Sequence, residues 1–326
     1  MEANARWALI AAVAPVTWGS TYLVTAEYLP ADSPLYGAAL RALPAGLLLL
    51  ALRRRLPQGA WWWRSLVLGT LNMGAFFALV YVAAQLLPAS IASTIMATSP
   101  VAMMLTAWSV IAERPRALGM LGAVLGVGGV AVMLLGGSVE VRWAGVAASV
   151  TAMAMSSFGY ILAKKWGDLG GADVLSQTAW QLVAGGAMLV PVAVLVEGAP
   201  PALDAPALVG FAYLSFVGTA LAYVCWFGAL RHLGAGTVGL VGLLNPVTGV
   251  LLGTLVAGET LTLRQGGGLV LVLAGILLGQ PMVAARLQAI GQRARTGRDA
   301  GGSDGVGADV AEPLPAPAPP SLRTRG

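Results

Sequence analysis

Long apolar runs, separated by short polar or proline-containing stretches, occupy the chain from Trp7 to Val283. Each run holds about 18 to 25 residues, enough for an α-helix to cross a hydrocarbon layer of ~30 Å. The pattern predicts ten membrane-spanning helices, named spans 1 to 10. In chain order the spans cover Trp7–Tyr28, Leu35–Leu52, Ser65–Leu87, Ser90–Ala112, Leu118–Gly136, Trp143–Ala163, Val174–Val196, Ala207–Leu230, Thr237–Ala257 and Leu263–Val283.

The apolar pattern occurs twice. Residues Tyr81–Gly129 superimpose on Phe227–Gly275 at a shift of 146 positions, and the first two spans superimpose on spans 6 and 7 at a shift of 140. The sequence therefore predicts two repeats of five spans, residues 6–136 and 143–283. Because five is odd, the second copy must enter the membrane from the opposite side. The predicted fold is an all-α membrane protein with ten transmembrane helices in two inverted five-helix repeats.

The composition supports a membrane protein and sets the C-terminal segment apart from the spans. The chain is 57% hydrophobic and only 10% charged, whereas a soluble domain carries about 25% charged residues. From Ala284 onward the sequence changes to glycine, proline, alanine and scattered charge. Such a segment buries too little apolar surface to fold, so residues 284–326 are predicted to form a disordered cytoplasmic tail.

Basic residues set the expected orientation. If the N-terminus is inside, the inner loops collect most of the Arg and Lys residues and only Arg142 and Arg264 lie outside, so both termini are predicted to be cytoplasmic in a cell inner (plasma) membrane. The inner set is Arg6, Arg53, Arg54, Arg55, Arg64, Arg114, Arg116, Lys164, Lys165 and Arg231. The net charge of +5 then reflects cytoplasmic loops that are attracted to anionic lipid, and no nucleic acid partner is expected.

Enzyme chemistry has little support in this sequence. The single cysteine, Cys225, and the single histidine, His232, leave no cysteine cage or histidine cluster for a metal, and no Asp or Glu lies in the middle of a predicted span. We therefore expect no metal, no cofactor and no catalytic residue. Glu113 and Glu259, which superimpose in the repeat, are interpreted as helix-end carboxylates in turns.

Two prolines near the middles of spans 4 and 9 point to a central cavity. Pro100 and Pro246 superimpose at the shift of 146, and a proline inside a helix frees the carbonyl four residues earlier, here those of Met96 and Gly242. In lipid such a carbonyl must find a partner or line a wet cavity. Ser99 and Asn245, directly before the prolines, add polar groups at the same depth. The alternative is that both prolines are tolerated kinks.

Arg41 is the strongly ionised side chain nearest to a predicted bilayer midplane. Its position in span 2 is costly unless it finds water, a carbonyl or an anion, so it should face the bundle interior. One interpretation is a site for a substrate carboxylate or phosphate, which guanidinium binds through two hydrogen bonds. The other is a structural arginine bonded to carbonyls or extended toward the interface. Gln181, its counterpart in span 7, carries no charge.

Further polar and aromatic side chains are candidates for substrate contact. In span 8, Tyr223 and Trp226 share one helix face with Ser215 and Thr219. The complete candidate set for substrate binding is Trp18, Arg41, Tyr81, Ser99, Gln181, Tyr223, Trp226 and Asn245. Spacing alone does not distinguish substrate contacts from hydrogen bonds that tie helices together.

With these residues assembled, the chain resembles the EamA family of the drug/metabolite transporter superfamily. The resemblance rests on WGSTYLV in span 1, the in-span Arg41, the Ser-Pro and Asn-Pro positions, the Glu-Arg turn after span 4 and the glycine-rich spans 5 and 10. It covers residues 6–283. It implies a ten-helix inner-membrane carrier with a substrate cavity at the pseudo-two-fold axis and with spans 5 and 10 peripheral to it.

The sequence therefore predicts a secondary transporter that exports small metabolites such as amino acids by alternating access. Its expected partners are a small-molecule substrate and the lipid bilayer. The small-residue pairs Gly122/Gly126, Gly249/Gly253 and Gly275/Gly279 permit close helix approach within one subunit or between subunits, which allows a homodimer. The alternatives are a membrane channel or sensor, which share the same helical bundle, and an intramembrane enzyme, which needs clustered acids, a metal-binding histidine pair or a nucleophile with a base.

Overall fold

The computed structural model describes residues 2–28, 33–87, 89–134, 142–169, 171–256, 262–280 and 283. Within these ranges the side chains of residues 22, 23, 25–27, 81, 84, 85, 89–91, 93, 168 and 253 are not described. The predicted tail, residues 284–326, and Glu259 lie outside the described residues, so the predictions for them stay open.

The described residues form helices joined by short turns, with no β-strand among them. The α-helices are α1 Glu2–Tyr28, α2 Pro34–Arg53, α3 Trp61–Gly69, α4 Ala75–Leu86, α5 Ala89–Met96, α6 Ser99–Ile111, α7 Ala117–Leu134, α8 Trp143–Asp168, α9 Val174–Glu197, α10 Ala205–Ala212, α11 Ala222–His232, α12 Ala235–Val241, α13 Leu244–Leu255 and α14 Leu263–Leu278. Two π-helical segments interrupt this series: the first, Thr70–Gly74, joins α3 to α4, and the second, Tyr213–Leu221, joins α10 to α11.

Eight helical segments among the described residues are long and apolar enough to cross a membrane. They are Pro34–Arg53, Trp61–Val80, Thr94–Ile111, Ala117–Leu134, Trp143–Gly167, Val174–Glu197, Ala205–His232 and Ala235–Leu252. Helix α1 is 27 residues long but carries the polar sequence TWGST, and α14 has only 16 residues. The all-helical fold is thus confirmed, whereas the number of ten spans is not.

Spans 4 and 9 are divided at their prolines. Helix α5 ends at Met96 and α6 begins at Ser99, so Pro100 is the second residue of a new helix. Helix α12 ends at Val241 and α13 begins at Leu244, which makes Pro246 the third residue of α13. A proline near a helix start is favourable because its missing N–H has no helical acceptor there. The carbonyl of Gly242 accepts a bond from the N–H of Asn245 at 3.1 Å.

Helices α2 and α9 pack closely and run antiparallel. A Cβ atom placed on Gly46 would lie 2.7 Å from the backbone nitrogen of Val183, and one placed on Gly186 would lie 2.9 Å from that of Leu43. The two helices touch over much of their length because these glycines have no side chain. The contacts are reciprocal, since 46 and 186, like 43 and 183, differ by the repeat shift of 140.

Helices α7 and α14 show the same reciprocity at the shift of 146. A Cβ atom on Gly122 would lie 2.5 Å from the carbonyl oxygen of Gly275, and one on Gly129 would lie 2.7 Å from that of Gly268. As the residue number rises along α7 it falls along α14, so this pair is also antiparallel. Such close backbone approach requires a glycine at the point of contact, because a Cβ atom there would meet the backbone of the other helix.

Acidic residues fasten both ends of the α2 and α9 pair. At one end Asp173 accepts a hydrogen bond from Nε of Arg53 at 3.0 Å. At the other end the carboxylate of Glu197 accepts from the N–H groups of Leu35 and Tyr36 at 2.6 and 2.9 Å. Glu197 thereby satisfies donors in the first turn of α2, where a negative charge is favourable.

Asp173 also caps helix α9. Its carboxylate accepts bonds from the N–H and the hydroxyl of Ser176 at 3.1 and 2.9 Å. Partial burial by itself raises the pKa of Asp173, but these two bonds, the bond from Arg53 and the Arg53 charge together outweigh it and hold the pKa below its ordinary value. The ionised form is therefore the one that stabilises this end of the bundle.

Candidate functional site

A cavity of about 290 Å³ lies between the two halves of the described bundle. Helices α1, α2, α4, α8 and α11 supply most of its wall, and the broken spans α5–α6 and α12–α13 supply the rest. Its lining consists of Trp18, Thr21, Arg41, Phe76, Phe77, Val80, Met96, Ala97, Ser99, Met103, Ser156, Tyr160, Tyr223, Trp226, Gly242, Leu243, Asn245 and Pro246. Arg41 alone among these residues carries a charge.

Aromatic rings form one wall of the cavity. The Trp18 ring lies 5.2 Å from Tyr223 and 5.3 Å from Trp226, centroid to centroid, and Trp226 lies 5.7 Å from Tyr160 in an edge-to-face arrangement. Tilted and edge-to-face pairs at these separations are mutually stabilising. The rings are therefore held in fixed positions, which gives the cavity a rigid apolar face.

Arg41 lies beside this wall, since it shares the Gly218 carbonyl with Trp18, and it is oriented by the second π-helical segment. Its Nε donates to the hydroxyl of Thr219 at 3.1 Å, its Nη2 donates to the carbonyl of Gly218 at 3.4 Å, and its guanidinium lies 5.1 Å from the centre of the Phe77 ring. These contacts satisfy part of the guanidinium's hydrogen-bonding capacity while the side chain still lines the cavity. The structural and the substrate-binding interpretations of Arg41 are thus compatible.

The π-helical geometry is what makes the Gly218 carbonyl available. In an α-helix this carbonyl would accept from the N–H of Ala222, but that N–H points to the carbonyls of Val217 and Thr219. The Gly218 carbonyl instead accepts from Nε1 of Trp18 at 3.1 Å and from Arg41. Such π-segments are rare and occur frequently at functional sites.

Trp226 offers a hydrogen-bond donor that the protein does not use. Only 2% of the residue is exposed, and its Nε1 has no hydrogen-bond partner. A buried N–H without a partner costs about 1–3 kcal/mol. An acceptor on a bound molecule would recover this cost, because Trp226 lines the cavity.

The structure brings together six of the candidate residues: Trp18, Arg41, Ser99, Tyr223, Trp226 and Asn245 all line the cavity. Pro246 lines it as well, whereas Pro100 is buried beside it against Gly239. Tyr81 lies in α4, but its side chain is not described.

Gln181 does not line the cavity. It lies in an interhelical contact with Asn72 that is closed to solvent, named the sealed contact. It is fully buried, and its Oε1 accepts a bond at 2.9 Å from Nδ2 of Asn72, which is also fully buried and belongs to the first π-helical segment. Two atoms of this pair, Oδ1 of Asn72 and Nε2 of Gln181, have no hydrogen-bond partner. At the repeat shifts Gln181 corresponds to Arg41 and Asn72 to Gly218, so the two contacts are counterparts in opposite halves.

The residues that sequence reasoning missed are mainly Phe76, Phe77, Val80 and Tyr160. A signal for two of them existed, because Phe77 and Val80 correspond to Tyr223 and Trp226 at the shift of 146. Applying the repeat to the candidate residues of span 8 would have found both. Apolar residues in an apolar span give no other local indication that they face a cavity.

A metal-dependent site has no support in the described part of the chain, where no group of three or more His, Cys, Asp or Glu residues is placed to hold an ion. The fold and cavity define a multi-pass helical membrane protein with a polar and aromatic chamber at its centre. The chain belongs to the EamA-like transporter family, whose model matches residues 5–135 and again residues 143–279.

Curated relatives agree with this assignment. The chain is 36% identical over 267 residues to Protein PecM of Dickeya dadantii, covering 82% of this chain and 90% of that protein. It is 28% identical to the "Uncharacterized inner membrane transporter YedA" of Escherichia coli K12, covering 76% and 81% of the two chains. It is 27% identical to the "Probable amino-acid metabolite efflux pump" of Salmonella typhimurium, covering 82% and 93%.

A solved structure shares the fold. Its TM-score to this chain is 0.74 with 20% sequence identity, and the match covers 87% of this chain and 99% of the other. The family is one of transporters, and two of these relatives are named as a transporter and an efflux pump, which points away from an enzyme and implies a small-molecule substrate in a membrane setting.

Proposed function

We propose that this protein is a secondary transporter of the cell inner membrane that exports small metabolites, such as amino acids, by alternating access. The observation that carries this proposal is the central cavity between the two halves of the chain, which one cation and several aromatic rings line together. In the proposal the two halves are inverted five-span repeats that rock around this cavity.

Reciprocal packing supports the inverted repeat. The α2 and α9 pair and the α7 and α14 pair each join counterpart helices, and both pairs are antiparallel. The cavity lining follows the same relation, since Phe77 and Tyr223, and likewise Ser99 and Asn245, are counterparts at the shift of 146. A site at a pseudo-two-fold axis is built from equivalent positions of both halves.

Unequal environments of equivalent residues support alternating access. Arg41 lines the open cavity, whereas its counterpart Gln181 is sealed against Asn72. A carrier that exposes its site to each side in turn requires the two halves to exchange such environments. The unbonded polar atoms of the sealed pair lower the cost of opening it, because water or substrate would satisfy them.

The cavity favours a substrate with an apolar or aromatic body and an acceptor group such as a carboxylate. The body would pack against the rings of Trp18 and Tyr223, and the acceptor would bind Arg41 and the unused N–H of Trp226. The cavity volume of about 290 Å³ is at the lower limit for small-molecule sites, which suits a metabolite of amino-acid size.

Counterflow in proteoliposomes tests the transporter and its site. A panel of radiolabelled amino acids and small organic acids should include at least one substrate with saturable counterflow. For that substrate Arg41→Gln should raise KM at least about tenfold, because a hydrogen bond to a charged group is worth ~1.5–3 kcal/mol. Arg142→Gln, which changes an exposed residue at the start of α8, is the matched control.

The contribution of the Trp226 N–H group to substrate binding is tested with a separate control variant. Trp226→Phe should raise KM while Trp108→Phe, at a 56% exposed residue of α6, should not. Non-saturable flux without counterflow would indicate a channel. Saturable counterflow that Arg41→Gln and Trp226→Phe leave unchanged would refute the substrate site and leave the carrier function intact.

A further inference from the structure

A second cavity, of about 350 Å³, lies at the helix ends that the charge bias predicts to be cytoplasmic. We name it the basic pocket. The linker between α6 and α7, the last turns of α8 and α11, the start of α12 and the end of α14 form its walls. It is lined by Met104, Glu113, Arg114, Pro115, Arg116, Gly119, Lys164, Arg231, His232, Leu233, Gly234, Gly236, Thr237 and Gly279.

Positive charge exceeds negative charge in this pocket. Among the described residues that line it, four are cationic, namely Arg114, Arg116, Lys164 and Arg231, and Glu113 is the one carboxylate. Glu113 is already engaged, since one oxygen accepts from Lys164 Nζ at 3.0 Å and the other accepts from the N–H of Ala235 at 2.7 Å. Arg114 and Arg116, two residues apart in the linker, repel one another, and a bound anion would relieve that repulsion.

Several of these groups are held in place rather than moving freely in solvent. Lys164, whose side chain is only 13% exposed, also donates to the carbonyl of Leu233 at 3.0 Å. Nη2 of Arg231 donates to the carbonyl of Ala172 at 3.0 Å and to Oε1 of Gln177 at 2.8 Å. Preorganised cations lose less conformational entropy when they bind a ligand.

The ring of His232 is fixed as well. It stacks on Trp7 with 3.8 Å between ring centroids, and its Nδ1 is 2.8 Å from the carbonyl of Gly228. Thr237, which is 8% exposed, contributes a hydroxyl to the lining. The pocket thus combines charge with neutral hydrogen-bonding groups, the combination that phosphate oxygens require.

We propose that the basic pocket binds a phosphate-type anion, either a soluble phosphate or the headgroup of an anionic lipid. Arg114 and Arg116 are exposed residues of the linker between α6 and α7, and their guanidinium groups close over the anion from outside. Lys164 forms the pre-set inner side of the site, and Arg231, held by Ala172 and Gln177, borders it. Guanidinium suits this ligand because it binds phosphate through two parallel hydrogen bonds.

Binding in the basic pocket would favour the arrangement of helices seen here. Glu113, Arg114 and Arg116 belong to the first half of the chain, whereas Lys164, Arg231 and His232 belong to the second half. An anion that contacts both halves stabilises the state in which their ends are together, by linkage. The basic pocket is separate from the central cavity, so an anion can bind there without the transported substrate being present.

The first experiment measures the thermal stability of the full-length protein in detergent against pyrophosphate concentration. Pyrophosphate should raise the melting temperature with saturation. The double variant Arg114→Gln/Arg116→Gln should weaken this binding at least about tenfold, because it removes two charge-assisted contacts to the anion. The matched control, Arg6→Gln/Arg54→Gln, removes two exposed charges from the same predicted side and should shift the binding constant less than twofold.

The second experiment distinguishes the sources of the phosphate. Native mass spectrometry on protein from nanodiscs that contain phosphatidylglycerol and phosphatidylcholine would show whether anionic lipid is retained. Retention that is lost in the double variant but kept in the control assigns the site to a lipid headgroup, and a response to pyrophosphate alone assigns it to a soluble anion. Binding of neither, or binding that both double variants weaken equally, would overturn the proposal.

Discussion

The sealed contact between Asn72 and Gln181 allows a quantitative prediction about stability. The pair makes one interhelical hydrogen bond and leaves two buried atoms, Oδ1 of Asn72 and Nε2 of Gln181, without partners. Interhelical side-chain bonds in membranes contribute ~0.6 kcal/mol on average, whereas each buried unsatisfied group costs about 1–3 kcal/mol. The pair as a whole is therefore a net cost to the folded state.

Gln181→Met and Asn72→Leu replace each amide by an apolar side chain of similar shape. Either single variant removes one unsatisfied atom but leaves the partner's formerly bonded atom unsatisfied, so these two costs cancel. Each should therefore lower the free energy of unfolding by the lost hydrogen bond alone, about 0.6 kcal/mol. The double variant removes both unsatisfied atoms. It should be more stable than either single variant and about 1–5 kcal/mol more stable than the unmodified protein, because two unsatisfied groups are removed and one hydrogen bond is lost.

Unfolding in mixed micelles with increasing dodecyl sulfate, followed by far-ultraviolet circular dichroism, measures these free energies. Gln177→Met is the control on the same helix, because Gln177 is 2% exposed and both ends of its amide are bonded, to Ala163 and to Arg231. This control should destabilise the protein. The reasoning is refuted if the double variant is as unstable as the sum of its two single variants.

Two further predictions concern the periphery of the bundle. Gly122→Val should destabilise the protein by several kcal/mol, on the scale of overpacked cores, because its side chain would meet the carbonyl of Gly275; Gly128→Val on the same helix meets nothing within 4 Å and should be tolerated in the same unfolding assay. Asp173→Asn should lower the melting temperature at pH 7 by removing the charge that pairs with Arg53. Because the folded pKa of Asp173 is depressed, its contribution is present above the ordinary value of about 3.9 and is lost as pH falls through the lower folded pKa. Melting curves of both proteins should therefore converge at acid pH, and a constant difference across pH would contradict this assignment.

The positions of the helices could be predicted from sequence to within a few residues. Spans 2 and 7, predicted as Leu35–Leu52 and Val174–Val196, are observed as Pro34–Arg53 and Val174–Glu197. This works because span length depends on local hydrogen bonding and on the thickness of the hydrocarbon layer, which act on each segment separately. The prolines also indicated where spans 4 and 9 depart from a regular helix, although the structure divides each of these two spans into two helices.

The π-helical segments had no recognisable signal. Tyr213–Leu221 and Thr70–Gly74 mix apolar residues with glycine and a few polar residues, a composition that also occurs in the α-helical parts of the spans. The geometry of Tyr213–Leu221 releases the Gly218 carbonyl, which orients Trp18 and Arg41. This π-helical segment therefore contributes directly to the cavity. A shift from four-residue to five-residue hydrogen bonds depends on contacts with other helices and not on the local residues alone.

Sequence by itself determined that this chain forms apolar helices, that its pattern occurs twice, and that Arg41 must find a polar environment inside the bundle. Only the tertiary structure decided which polar residue faces the cavity. Arg41 and Gln181 occupy equivalent positions, yet Arg41 lines the cavity and Gln181 is sealed against Asn72. The physical reason is that a helical pattern shows which face avoids lipid, whereas the packing of neighbouring helices decides whether that face meets a cavity or another side chain.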